Sequence, residues 1–210
     1  MAERLVSAKL ALTNALAEED VREALKELGF DEARLQAGLD LYHQAEELYQ
    51  VQKKEYSDQF QATEAVFAAW QEARVVHQKY VTVARLALMG HPGLKNSLGL
   101  NEDQAFSISD WLTQARLFYT AALKSPEIQE RFKEFAVTAE KLQAGLALVD
   151  RLESLNSQQE VEKGEAQQAS RDRDDAFASL DKFMYAFNQV ARLLLTEKPE
   201  HLEKLGILER

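Results

Sequence analysis

The feature that most constrains this chain is a self-similarity at one fixed offset, the kind of signal that decides architecture before any local motif does. A shift of 107 residues lays Leu35-Gln36-Ala37-Gly38-Leu39 on Leu142-Gln143-Ala144-Gly145-Leu146, and the same shift lays Val83-Ala84-Arg85-Leu86 on Val190-Ala191-Arg192-Leu193. Pro92 falls on Pro199, Leu98-Gly99 falls on Leu205-Gly206, and about 30 of the 103 superposed positions are identical without a gap. The 210 residues therefore read as a unit of approximately 107 residues written twice, residues 1–107 and 108–210. The expected arrangement is two helical bundles packed with pseudo-twofold symmetry around one continuous core.

Only 8 glycines and 3 prolines are present, too little turn chemistry for an all-β or dinucleotide-binding α/β fold. The fold class is all-α. Punctuation is clearest in the second copy, where Ser125-Pro126 supplies an N-cap followed by proline in the first helical position, closing one helix near Lys124 and opening a short one. A long helical stretch then opens at Asp31 or Thr138, and Gly90-His91-Pro92 or Glu197-Lys198-Pro199 closes it. Between Asp31 and Met89 there is no proline and only Gly38, while Leu35, Leu39, Tyr42, Tyr49, Tyr56, Phe60, Phe67 and Trp70 keep a coiled-coil-like spacing. In the second copy Asn156 to Asp175 is almost wholly polar and holds Gly164 in its middle. The expectation is a long antiparallel helical hairpin with its tip near residues 52–62 and 157–168; one continuous helix is the alternative. Gly38 and Gly145 sit in helical context where glycine costs about 1 kcal/mol relative to alanine, so a close approach by another backbone is expected at both.

Composition removes several function classes. With no cysteine there is no disulfide, thiolate metal site or cysteine nucleophile. The N-terminus lacks a signal-peptide pattern and no run approaches 18 apolar residues, so the expectation is a cytoplasmic protein with no membrane span. The net charge is −10, with 17 acids and 11 bases in residues 1–107 and 18 and 14 in residues 108–210, so no basic surface for nucleic acid is expected.

Candidate sites are few. Arg85 and Arg192 share the V-A-R-L context, and each is expected to pair with a carboxylate in a buried ion pair or to face an anionic ligand between the copies. Asp40, His43 and Glu47 share one helix face, and Glu72 with His77 could face them from a second hairpin arm as a metal set. No Glu-x-x-His occurs, however, and the second copy has Ala147, Asp150 and Ser154 at the first three positions and Met184 at His77, so no metal or other cofactor is expected. No nucleophile elbow or phosphate loop is present, and the chain is not expected to be an enzyme. Tyr49, Tyr56 and Phe60 become Asn156, Lys163 and Gln167 in the second copy, marking a strip that would bind a protein partner or a second copy of the chain. Trp111, which stands where the first copy has Arg4, is expected to pack at the junction between copies. The leading expectation is a non-catalytic helical scaffold or interaction module that binds through the distal hairpin of the first copy or through the groove between the copies. A metal- or small-ligand-binding bundle is the alternative.

Overall fold

The computed structural model describes residues 1–101, 105 and 107–207. Among them the chain forms eight helices and no strand: α1 (Ala2–Ala17), α2 (Glu19–Lys26), α3 (Glu32–Ala87), α4 (Pro92–Ser97), α5 (Ile108–Lys124), α6 (Pro126–Lys133), α7 (Ala139–Leu194) and α8 (Pro199–Lys204). No helix among the described residues is long and apolar enough to cross a membrane.

Local chemistry sets the boundaries. Ser107 caps α5 by accepting from the Asp110 amide at 3.0 Å, and Ser125 caps α6 by accepting from the Ile128 amide at 3.3 Å, with Pro126 in the first turn. Gly29 closes α2 with a φ of 79°; its amide donates to Lys26 O at 3.0 Å, and the Phe30 amide donates to Leu25 O at 3.1 Å. The turn after α6 makes the same two bonds, Ala136 to Lys133 O at 2.9 Å and Val137 to Phe132 O at 3.1 Å, but with alanine in the left-handed region at a φ of 54°. A cation five residues on reaches back to each turn carbonyl, Arg34 to Gly29 O at 3.1 Å and Lys141 Nζ to Ala136 O at 2.7 Å.

The expected hairpin tip does not exist. Residues 52–62 and 157–168 are unbroken helix inside α3 and α7. The polar run from Asn156 needs no turn, because Ala166, Ala169 and Ala176 supply a narrow buried stripe while the polar residues face solvent. Gly164 is exposed, with nothing within 4 Å of where its Cβ would be, and one glycine in so long a helix is a tolerable loss.

The molecule divides into two compact units, residues 1–57 with 164–210 and residues 58–163. These units do not coincide with the sequence halves. Unit 1 joins α1, α2 and α8 to the first part of α3 and the last part of α7, around Leu12, Leu25, Leu35, Tyr42, Phe177 and Phe187. Unit 2 joins α4, α5 and α6 to the last part of α3 and the first part of α7, around Ala84, Leu88, Phe118, Tyr119, Phe132 and Leu142. The apolar interior thus forms two clusters where one continuous core was expected.

Both mid-helix glycines are explained by rings rather than by a neighbouring backbone. A Cβ on Gly38 would run into the Phe183 ring and lie 3.1 Å from Leu12, and one on Gly145 would run into Tyr119. The slot is filled from a different helix in each unit, from α7 in the first and from α5 in the second.

Candidate functional site

The positions singled out in the sequence separate in the structure. Tyr49 is half-buried in unit 1, edge-on to Phe177 with ring centroids 6.2 Å apart and with Lys53 Nζ 4.5 Å above it, so it belongs to packing. Tyr56 is 52% exposed; Phe60, four residues on, is 64% exposed and falls in the other unit. Phe67 and Val75, which follow on the outer face of α3 in unit 2, are 57% and 55% exposed.

The metal constellation is not assembled. Asp40, His43 and Glu47 belong to unit 1, Glu72 and His77 to unit 2, and from Glu47 to Glu72 the chain is uninterrupted helix that cannot fold back. Asp40 accepts from Gln36 Nε2 at 3.1 Å and Glu72 from Arg151 at 3.3 Å, leaving His43 exposed beside Tyr42. The expected buried ion pairs at Arg85 and Arg192 are absent too. Both side chains are exposed, neither has a carboxylate within 4 Å among the described residues, and the buried place in each V-A-R-L is taken by Ala84 and Ala191.

What unit 2 does assemble is a cavity of about 170 Å³ between the last four turns of α3, α5 and the chain leaving α4. Arg74, His77, Gln78, Val81 and Arg85 sit at i, i+3, i+4, i+7 and i+11, which places them along one side of α3. Trp111, Gln114 and Phe118 repeat that spacing on α5. Trp111 and Phe118 are buried and form the apolar wall. Arg74 rests over the Trp70 ring, its Cζ 5.7 Å from the centroid, and like Arg85 it has no carboxylate within 4 Å among the described residues. Two guanidinium groups without a carboxylate of the described chain therefore border one cavity in a protein whose overall charge is −10.

His77 lies among three rings, with centroids 5.5 Å from Trp111, 5.1 Å from Phe118 and 5.5 Å from Tyr119. Burial pulls its pKa down from 6.5 to about 4, so at neutral pH it is an uncharged imidazole with one N–H donor and one acceptor nitrogen. Among the described residues its Nδ1 is buried without a hydrogen-bond partner, as are Trp70 Nε1, the Tyr119 hydroxyl, Arg131 Nε and His201 Nδ1.

Sequence reasoning found His77 and Arg85 but assigned them to other sets, and it missed Arg74 and Phe118; Trp111 does pack where residues 108–210 meet residues 1–107, edge-on to His77. The available signal was the non-matching positions: Trp111, Arg74 and His77 stand where the other half has Arg4, Asp181 and Met184.

No protein-family model matches the chain, and neither a curated protein nor a solved structure matches it.

Proposed function

We propose that this protein is a non-catalytic helical scaffold that works by helix-on-helix contact, with the outer face of α3 in unit 2 as its docking surface and a second copy of the chain as the occupant. The observation that carries the reading is the row Phe60, Phe67 and Val75, three large apolar side chains each more than half exposed on one side of one helix. Phe60 and Phe67 are seven residues apart, so two copies running antiparallel place Phe60 of one beside Phe67 of the other about a twofold axis; the face is its own complement. The charge of −10 on each copy opposes this association, so it is weak at low salt and strengthens as salt screens the repulsion.

A tandem duplication forms part of the proposal. Its support is the order of helix lengths, 16, 8, 56 and 6 residues against 17, 8, 56 and 6, together with the matching turns at Gly29 and Ala136. Work in the cytoplasm, without nucleic acid, also belongs to it.

Sedimentation at rising protein and salt concentration tests the docking face. The expected result is a dimer that Phe60→Ser with Phe67→Ser abolishes and Tyr185→Ser, a substitution at a side chain 70% exposed in unit 1, leaves intact. A chain that stays monomeric throughout would overturn self-docking, as would a double variant that associates as well as the parent.

A further inference from the structure

We infer that the C-terminal end of α3, in unit 2, docks an acidic amphipathic helix of a partner protein, with the partner's apolar stripe on Leu86 and Met89 and its carboxylates against Arg74, Lys79 and Arg85. Three observations converge on that partner.

The first is a gap in the charge pattern. The chain carries 35 acidic residues among 210, one in six, so a stretch of 29 would hold about five; residues 73–101 hold none, while Arg74, Lys79, Arg85 and Lys95 fall within it. Arg74, Lys79 and Arg85 are exposed, and none of the three has a carboxylate within 4 Å among the described residues. A protein of net charge −10 thus presents a basic face along the end of one helix, which attracts an acidic partner and repels a basic one.

The second is the apolar strip that runs between these cations. Gln71, Arg74, Val75, Gln78, Lys79 and Thr82 border a shallow depression on the surface of α3. The face continues to Leu86, 50% exposed, and to Met89 in the turn after α3, 69% exposed. Val75, Thr82, Leu86 and Met89 follow one another by seven, four and three residues, the spacing that a second helix lying alongside can match over about 21 Å. An extended segment would need a sheet edge, and the described residues form no strand. A bare polyanion would meet the cations and leave Leu86 and Met89 in water, so the strip favours a helix that carries both acids and apolar side chains.

The third is the divergence of the positions 107 residues away. Asp181 stands for Arg74, Lys182 for Val75, Ala186 for Lys79 and Thr196 for Met89, and Asp181 accepts from Arg4 Nε at 3.1 Å. The inward positions keep their character, since Ala84 and Leu88 are buried in one unit and Ala191 and Leu195 in the other. Packing was thus retained in both places, while the outward combination of cations and apolar side chains belongs to unit 2. This end of α3 lies beyond Phe60 and Phe67, and it answers to salt in the opposite sense: self-docking strengthens as salt screens repulsion, whereas this contact weakens as salt screens attraction.

Fluorescence anisotropy of the full chain with a labelled helical peptide tests the inference. The peptide has leucine at the first and fourth positions of each heptad and glutamate on both flanks. Its controls are the same peptide with lysine for every glutamate, a scrambled peptide of identical composition, single-stranded oligothymidylate and, by co-sedimentation, phosphatidylserine vesicles. The glutamate peptide is expected to bind at least about tenfold more tightly than any control and to weaken by about tenfold between about 50 and about 500 mM salt. Arg74→Glu with Lys79→Glu is expected to lose the glutamate peptide by a similar factor and to gain the lysine peptide, a reversal that a misfolded variant would not show. Leu86→Ser with Met89→Ser is expected to weaken the glutamate peptide as well, and all four changes fall on exposed side chains, so the melting temperature should hold. Phe60→Ser with Phe67→Ser should leave peptide binding unchanged, so self-docking and this contact fail separately. The inference is wrong if the glutamate peptide fails to bind at about millimolar concentration, if the scrambled peptide, oligothymidylate or the vesicles match it, or if the charge-reversed variant binds it as tightly as the parent.

Discussion

The Tyr119 ring, carried by α5, lies over Gly145 of α7 so closely that a methyl group at position 145 would strike it. Tyr119 is 1% exposed, so the ring cannot swing into solvent to make room. Gly145→Ala is therefore expected to destabilise the protein by about 1–3 kcal/mol through overpacking, against the gain that alanine normally brings to a helix. Gly38→Ala is expected to do the same against Phe183 and Leu12, whereas Gly164→Ala, with open space around its Cβ, should stabilise by about 0.5–1 kcal/mol. Urea unfolding of the three variants checks this. Three stabilising changes would show that helix propensity, and not ring contact, governs these sites.

The continuity of α3 through residues 52–62 has its own test. A proline inside a helix removes a hydrogen bond and clashes with the preceding turn, a cost of about 3 kcal/mol or more, whereas the tip of a hairpin accepts it. Gln59→Pro should accordingly lower helicity by circular dichroism and reduce stability by at least that amount. A variant as stable as the parent would restore the hairpin.

Why the long helix was hard to read is visible in particular residues. Ends that depend on local chemistry were legible, as at Ser125-Pro126, because a cap or a proline acts within one turn. The stretch from Asn156 was not, because a helix needs only a thin buried stripe, and Ala166, Ala169 and Ala176 provide one with side chains that a hydropathy pattern hardly registers. The composition of the units was illegible for another reason. The first and last parts of α3 carry the same apolar spacing, so nothing in the pattern shows that the first packs with Phe177 and Phe187 and the last with Phe118 and Tyr119. The cavity inherits that blindness. Arg85 stood out because V-A-R-L is repeated, but its neighbours Trp111 and Phe118 become neighbours only through the pairing of α3 with α5.

Ala136 holds a left-handed backbone, φ 54°, at the turn where Gly29 serves in unit 1. An L-residue pays about 1–2 kcal/mol for that conformation and glycine does not. Ala136 is exposed, so replacing it removes no core contact. Ala136→Gly is expected to raise stability by about 1 kcal/mol, and Gly29→Ala to lower it by a similar amount. A thermal melt in which Ala136→Gly is the less stable protein would contradict the argument.

His77 makes a pH-dependent contribution whose sign follows from its burial. The imidazole stays neutral in the folded protein down to about pH 4, while in the unfolded chain it titrates near 6.5. Within that window the unfolded state binds a proton that the folded state refuses, so stability is fully present above pH 6.5, falls as pH drops through the window, and falls no further on this account below about pH 4. The full loss is about 3 kcal/mol, because each tenfold difference in proton affinity between the two states corresponds to about 1.4 kcal/mol. Glu18, held low by its hydrogen bond to Lys204, and Glu140, held low by Thr138, lose their own contributions at acid pH, but they do so in the parent and in His77→Met alike. The difference in unfolding free energy between the two proteins, measured in urea at about pH 7 and about pH 4.5, isolates the histidine. It is expected to move in favour of His77→Met as the pH falls, and a difference that stays constant would mean that His77 is protonated in the folded protein as readily as in the unfolded chain.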